Sequence, residues 1–465
     1  MAIRGLIKNI IISPVALKDV DPEETFVPAH MDLRNGYLSD MKNWIKRPGF
    51  NSVIDIGVDE PIDLLVPIDN GYVVTENGKV YKEATTTPVQ LTGKSLNGTK
   101  RPTWAFHNGI CVICDGGNPV KVTTNTARLG GNPPSGKFVD LIDSYLVISG
   151  QDNYTFKWCT AGNIESWPVA NFNAVIKDGS PIVMNKVLNR ELYFFKKNSI
   201  EIWVNIGGLQ VFARRAIIDV VDKQRAGRGI SGYSVVKANN NFYFYADGDF
   251  VTLQGNGLQV ISNYYRSEID KILNPDEIFG FDCRKESCVR WFAPIEGKCF
   301  KYDYANNIFS EDNMWRHGQF ERLPWNSYME LNGKQYFGDY RLTGNIYEWS
   351  KDYKDDDGEP IRVYRKLRYA LGDGNLSRVN RIRFRVKRGM EGTVPTEPKM
   401  VVNWKMDNGP QETETISLGQ VGEHDPYVDI HNLGVGREIE LEIYETDSTD
   451  FALTQANITL EPVGA

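Results

Sequence analysis

A chain of 465 residues is too long for one small hydrophobic core, so two or three domains are expected. Its 41% hydrophobic content excludes a disordered chain, and its net charge of −7 excludes a general nucleic-acid coat, which needs a basic excess. Six cysteines in this length make no disulfide framework, no stretch reaches the length of a membrane span, and Ile10 to Ile12 before Pro14 is too short for a signal peptide. Synthesis in a cytoplasm is the expectation.

Residues 1–68 read as a lead-in. Asp19 to Glu24 is acidic and contains proline, the composition of a surface loop. Asn35-Gly36-Tyr37-Leu38 and Arg47-Pro48-Gly49-Phe50 are turns flanking short elements. One strand of this region is expected to complete the last unit of a ring and remove its exposed edge.

From residue 69 to 350 a unit recurs: a polar or Asn-Gly turn, a strand, a tight turn and a second strand. Units begin near Asn70, Asn108, Asp143, Asn189, Asn241, Cys288 and Asn332. In the fourth, Ile200, Ile202 and Val204 alternate with Glu201 and Trp203, the pattern of a strand with a buried face. Tyr264 to Leu273 predicts a short helix. The spacing lies in the range of propeller blades, and each unit has room for about four short strands. The expectation is an all-β chain with a β-propeller of seven blades, six also being consistent because the first unit is weak. An irregular array of hairpins in one or two sandwiches is the alternative.

Residues 351–360 are charged, end in Pro360 and read as a solvated linker. Beyond it, residues 361–465 carry longer strands: Arg381 to Lys387, Met400 to Met406, Glu438 to Tyr444 and Ala456 to Leu460. Ile439, Leu441 and Ile443 share one face, and Glu438, Glu440 and Glu442 the other. A C-terminal β-sandwich of about 100 residues follows.

Motifs that carry chemistry are weak. Cys111-x-x-Cys114 sits in a strand, where positions three apart face opposite sides, so buried thiols are expected. Gly227-Arg-Gly-Ile-Ser-Gly232 matches the dinucleotide-binding spacing but leads to another strand rather than a helix, which leaves a loop between blades. Around it Arg214, Arg215, Lys223, Arg225 and Arg228 form the most basic stretch of the first 350 residues, either a solvated loop or a contact for an acidic partner or phosphate. Lys351 to Glu359 fails the EF-hand spacing. His424, Asp425, Asp429 and His431 crowd together without metal-site geometry, and Glu330 and Asp339 are acidic residues whose separation sequence does not fix. No catalytic, cofactor or metal residues are assigned.

The sharpest feature is Arg381-Ile-Arg-Phe-Arg-Val-Lys387. Alternation sends Arg381, Arg383, Arg385 and Lys387 to one face and Ile382, Phe384 and Val386 into the core. A row of like charges repels itself, so a partner is expected. The cheapest is the Glu438, Glu440, Glu442 row, within the domain or on another subunit; open solvent and DNA phosphate are the other readings.

The order of features resembles the packaged-DNA stabilisation, or tail hub, proteins of short-tailed double-stranded DNA bacteriophages. The likeness runs through Asn35-Gly-Tyr-Leu with Arg47-Pro-Gly-Phe, then Glu191 to Trp203 with Gly207-Gly208. It continues in Lys223-Gln-Arg-Ala-Gly-Arg-Gly-Ile-Ser-Gly, in Phe242 to Tyr245 and in Ala452 to Glu461. Asp355 to Glu359 and the Cys111–Cys114 strand depart from the family's pattern. The resemblance implies a non-enzymatic virion component in the tail, a homohexameric ring below the portal and its adaptor. Such a ring helps retain packaged DNA and carries the tail tip, fibres or spikes. The rival expectation is a carbohydrate-binding or glycan-cleaving receptor-recognition propeller, which needs an aromatic-lined axial pocket with clustered carboxylates; a cellular scaffold propeller is a third.

Overall fold

Local turn chemistry sets the architecture. Asn108-Gly109, Asn189-Arg190, Asn239-Asn240 and Asn332-Gly333 each carry two successive residues in the left-handed region. Two-residue hairpins need that geometry to match the twist of their strands, and Asn and Gly adopt it at least cost. Each of these turns joins the first and second strands of a four-stranded antiparallel sheet. The computed structural model describes residues 6–10, 29–39, 43–98, 101–208, 210–220, 228–255, 257–263, 265–371, 375–387, 397–419 and 425–463.

Seven such sheets follow one another. The first six blades begin with the strands Ile62–Val66, Thr103–His107, Phe138–Ile142, Ile182–Leu188, Val236–Ala238 and Phe279–Cys283. The seventh takes three strands from Trp325–Leu331, Lys334–Asp339 and Asn345–Ser350, and its fourth, Gly49–Asp55, from the N-terminal side. That strand pairs antiparallel with the last, Phe50 opposite Trp349 and Ile54 opposite Ile346. The chain then runs directly into blade 1, and the first strands of blades 7 and 1 lie together. The propeller is thus a closed ring of seven blades, and the weak first unit is a full blade.

Neighbouring blades bury their faces against each other. Cys111 packs with Val66, Val74 and Val80 between blades 1 and 2, and Cys114 packs with Val139, Leu146 and Ile148 between blades 2 and 3. The two thiols do point opposite ways, and all six cysteines are buried and free. Between blades 6 and 7, Phe50 of the closing strand stacks on Trp349 and meets Phe337 and Tyr347 edge to face, and Trp325 stacks on Phe337. The short helix near residue 264 is Arg266–Ile269.

Beyond the ring lies a sandwich. One sheet orders Gly36–Leu38, Trp44–Lys46, Ala452–Pro462, Ser377–Val386 and Tyr427–Gly436, with Leu6–Ile10 on Ala452–Pro462. The other orders Ala29–Arg34, Val363–Ala370, Glu438–Glu445, Lys399–Met406 and Gln411–Ser417. Ile439 and Leu441 face inward at 0% exposure, as the alternation requires. The second sheet is continuous with blade 6, because Arg34 pairs with Glu311 of that blade's outer strand.

Two boundaries differ from the sequence expectation. The lead-in is divided: Ala29–Arg34, Gly36–Leu38 and Trp44–Lys46 belong to the sandwich, Gly49–Asp55 to blade 7, and Ile62–Val66 to blade 1. Residues 351–360 are not a solvated linker. Asp355–Asp356 and Glu359–Pro360 form a small hairpin laid on the closing strand, and Asp356 is 0% exposed. Charge composition pointed to water; a buried arginine took the carboxylate instead. Asp19 to Glu24 lies outside the described residues.

That arginine is Arg47. It donates to Asp356 at 2.8 and 2.5 Å, to Asn35 Oδ1 at 2.9 Å, and to the carbonyls of Pro48 and Asn313 at 2.8 Å each. Its guanidinium carbon sits 5.0 Å from the Trp349 ring centroid. Asn35 also accepts from the Asn313 amide at 2.7 Å and donates to the Arg362 carbonyl at 2.8 Å. Nearby, buried Lys46 donates to Glu445 at 2.8 Å, and buried Asp312 accepts from Arg290 at 2.9 Å and Lys301 at 3.1 Å. Arg47 and Asn35 therefore tie the sandwich to the propeller through buried polar contacts, and Lys301 of blade 6 adds a bond to the Gly36 carbonyl at 2.8 Å.

Two outcomes follow for stability. Asp356→Ala leaves the Arg47 charge buried and uncompensated, and is expected to cost about 3–5 kcal/mol in urea unfolding, whereas the double change Arg47→Met with Asp356→Leu lies closer to the native protein. A single substitution as mild as the double one contradicts the account. For Asp312, burial works to raise the carboxyl, but Lys301, Arg290 and Arg47 overrule it and hold it down at about 2. A folded value below the unfolded one, about 3.9, contributes stability above that value which is lost as pH falls toward the folded one. The melting temperature should fall steeply between about pH 4 and pH 2, and less steeply in Asp312→Asn.

Candidate functional site

The basic row lies on the outer face of the first sandwich sheet, on the central strand Ser377–Val386 and the residue after it. Ile382, Phe384 and Val386 fill the core, Arg381 and Arg383 are half-buried, and Arg385 and Lys387 are exposed. Pairing of this row with the glutamate row inside one domain is corrected. Glu438, Glu440 and Glu442 line the outer face of the other sheet, where Lys366 bonds Glu440 at 2.7 Å and lies 3.3 Å from Glu442, Arg368 pairs with Glu438, and Asn403 donates to Glu442. Alternation fixed which face each row occupies, but strand order decided the neighbours, and it set Val363–Ala370 beside Glu438–Glu445.

Among the described residues the basic row forms its ion pairs with Asp429. Arg383 forks onto Asp429 at 2.8 and 2.7 Å, and Arg381 reaches the same carboxylate at 4.0 Å. Asp429 is held below the usual carboxylate range, first by the Arg383 hydrogen bonds. The flanking strands present Gln455, Asn457 and Thr459 on one side and Tyr427, Asp429 and His431 on the other. The face is thus a net-basic, amide-rich surface. His424 lies outside the described residues, among which no group of three His, Cys, Asp or Glu side chains could hold a metal ion.

The second basic stretch is divided among internal partners. Arg214 and Arg215 sit on Phe212–Asp219, the outer strand of blade 4. Arg214 pairs with buried Glu201 at 3.3 Å and Arg215 with Glu191 at 2.9 Å, while Arg228 lies 3.7 Å from Asp270. Glu201 also lies 3.6 Å from the buried Lys196 ammonium. Arg225, Lys223 and Gly227 lie outside the described residues. Gly232–Ser234 is a three-residue turn leading into the first strand of blade 5, with no helix of the dinucleotide-binding kind.

Sequence reasoning did not reach the axial channel. The first strands of all seven blades face the axis and enclose a cavity of about 720 Å³, within the size range of small-ligand sites. The signal was present as the alternate residues of those strands, but only the closed ring brings them together. Trp104, Phe106, Tyr233, Phe281 and Tyr328 supply aromatic surface. The charges balance in clusters. Asp140 accepts the amides of Leu141 and Val187 at 2.8 and 2.7 Å; burial pushes its carboxyl up and the Lys186 ammonium down, each checked by the other's charge. Arg284 bonds Asp282 at 2.7 Å, and Tyr328 donates to Glu330 at 2.7 Å. Glu330 and Asp339 stand near opposite ends of one hairpin, Asp339 being paired with Arg341.

The N-terminal end of the channel is arranged differently. Arg101 donates to the carbonyl and side-chain oxygens of Asn326 at 3.2 and 3.1 Å, and its guanidinium carbon lies 3.3 Å from the Phe279 ring centroid. Asn326 in turn donates to Asp63 at 2.8 Å and to the Ile62 carbonyl at 3.1 Å. Arg322 lies over Phe279 as well, at 5.5 Å, and over Tyr340 at 4.2 Å.

No family model matches the chain, and no curated protein sequence matches it. Among solved structures it is similar to BamB from Moraxella catarrhalis, with 10% identity over 65% of this chain and 97% of that one, at a TM-score of 0.38. The extracellular domain of BT4673 from B. thetaiotaomicron is 11% identical over 94% of this chain and 64% of that one, at 0.46. The N-terminal domain of Nup159 is 9% identical over 68% and 98%, at 0.40. No activity, ligand or partner is carried over from them.

If the sandwich face is a net-basic surface held in check by one carboxylate, Asp429→Ala should leave the melting temperature unchanged and lengthen retention on a heparin column. Unchanged retention contradicts that description of the face.

Proposed function

We propose that this chain is a structural component of a bacteriophage tail, a ring-forming protein below the portal and adaptor that helps retain packaged DNA and anchors the distal tail parts. The observation that carries the reading is the welding of propeller to sandwich by the segment containing Asn35 and Arg47. Those residues belong to the paired motifs on which the family resemblance rests, and they give a single stiff block of the kind that a load-bearing ring subunit requires. A closed ring of identical copies needs a heterologous interface, with unlike surfaces meeting between neighbours. The net-basic face around Arg385 and Lys387 and the glutamate-bearing face around Glu440 are two such unlike surfaces on one copy. Packaged DNA would pass through the lumen of the assembled ring, not through the propeller channel, whose cavity has the scale of a small ligand.

A second reading is kept because of one observation: the channel is lined by aromatic rings and carries Asp282 and Glu330 near its other end. That is the outline of a glycan site in a receptor-recognition propeller. Against it, each of these carboxylates is already engaged, by Arg284 and by Tyr328 and the Lys285 amide.

Native mass measurement and co-sedimentation test the first reading together. The expected result is a hexameric ring that sediments with portal–adaptor complexes, and loses the ring when Arg385 and Lys387 are both changed to Glu. A chain that stays monomeric at all concentrations, ignores portal–adaptor complexes and binds a glycan array overturns it in favour of the second.

A further inference from the structure

We propose that the end of the axial channel between blades 1, 6 and 7 binds a small oxyanion, a carboxylate or phosphate group, with Arg101 making the contact and Arg322 acting behind it as a positioning charge. The site is independent of the tail reading and would stand or fall without it.

Two buried arginines of this protein are matched by carboxylates. Arg47 faces Asp356 and Arg290 faces Asp312, each within hydrogen-bond distance. Arg101 and Arg322 are different: among the described residues neither has an ion pair with a carboxylate, while each has hydrogen bonds only to uncharged oxygens, those of Asn326 and of the Trp325 carbonyl. Asp63 is close by, yet Asn326 is inserted between them, its oxygen toward Arg101 and its amide toward Asp63. The amide spacer keeps Asp63 out of contact with the guanidinium, although its charge still favours the cation.

The two cations also aggravate each other. Both lie over the ring of Phe279, at 3.3 and 5.5 Å from its centroid. Burial, and then the charge of Arg322, push the Arg101 guanidinium down to about 9, and burial pushes Arg322 down to about 10. Both stay charged at neutral pH. A desolvated charge with no opposite charge in contact is costly, and two of like sign around one ring are worse. An anion seated at that point would offset both charges.

Geometry says what would satisfy it. Arg101 keeps part of its surface open to the channel although the surrounding protein desolvates it. A guanidinium presents a planar fork of donors that matches the oxygens of a carboxylate or phosphate, and the exchange is strongest where water is scarce. Tyr233 borders the same cavity and brings a phenol that can donate to an anion. The cavity of about 720 Å³ has room for an organic body attached to the anionic group. Arg322, stacked over Tyr340 and Phe292 and not part of the channel wall, raises the local potential without touching the ligand.

The test uses the full chain, dialysed into a buffer free of phosphate and carboxylate and titrated calorimetrically at constant ionic strength with inorganic phosphate and, separately, with malonate. The expected result is a single saturable site for at least one of them, weakened about tenfold or more by Arg101→Gln, equivalent to about 1.4 kcal/mol, and unchanged by Arg383→Gln on the outer sandwich face. Tighter binding of phosphate assigns a phosphate-bearing ligand; tighter binding of malonate assigns a carboxylate. Arg101→Gln should also melt no lower than the native chain in the anion-free buffer, because it removes an unpaired charge. Should that variant fail to fold, the native protein still answers: the bound anion should protect the peptide containing Arg101 from phenylglyoxal. Absence of binding by both anions, equal binding to Arg101→Gln, or no protection of Arg101 overturns the proposal.

Discussion

All five N–H groups of Arg47 have acceptors, and the relation of propeller to sandwich depends on where those acceptors lie. Two belong to the carboxylate of the hairpin laid on blade 7, one to Asn35 between two sandwich strands, one to Asn313 at the start of the hairpin Asn313–Arg316 with Gln319–Arg322 that follows blade 6, and one to Pro48 beside Arg47 itself. A charge taken this far from water is tolerated only when every donor is met. The backbone around it is correspondingly constrained. Asn35 is held at φ 56°. A Cβ on Gly36 would meet the Trp44 indole at 2.1 Å, and one on Gly49 would meet the Asp355 carbonyl at 2.0 Å. The two short motifs Asn35-Gly36 and Arg47-Pro48-Gly49 are thus halves of one junction, twelve residues apart in sequence by the separation of Asn35 and Arg47.

Stiffness is the consequence that reaches function. Closing the last blade with Gly49–Asp55 removes the free edge that a seven-bladed ring would otherwise expose. The same segment has just left the sandwich at Trp44–Lys46, so ring closure and domain docking are made by one stretch of chain. Buried charge pairs also brace each body from within, Lys46 with Glu445 inside the sandwich and Asp312 with Arg290 and Lys301 on blade 6. Relative motion of the two bodies would strand the buried Arg47 charge, which makes the molecule a block with two chemically different outer sandwich faces and an axial cavity whose charges are paired except at the Arg101 end.

Local chemistry made the propeller legible. Asn108-Gly109 and Asn332-Gly333 announce hairpins because few other pairs enter the left-handed region cheaply. Alternation in Glu438–Glu445 assigned its buried face residue by residue, and Cys111 and Cys114 could be sent to opposite sides by counting. What local chemistry cannot carry is pairing across long separations. Asp356 reads as a solvated acid until Arg47, 309 positions away, is placed beside it. Arg383 and Glu440 were plausible partners by charge, and only strand order set them on different sheets, with Asp429 and Lys366 taking the vacancies. The channel residues were hidden for the same reason: Arg101 and Asn326 lie 225 positions apart and meet only when the ring is closed.

Propeller and sandwich should unfold as one body, because Trp44–Lys46 lies in the sandwich and Gly49–Asp55, only three residues on, closes blade 7. Hydrogen exchange of the full chain under rising urea addresses it directly, since it reads protection strand by strand. The account expects the amides of Lys334–Asp339 in blade 7 and of Glu438–Glu445 in the sandwich to lose protection at the same urea concentration. Sandwich amides that exchange freely while blade 7 remains protected, or the reverse, would contradict it.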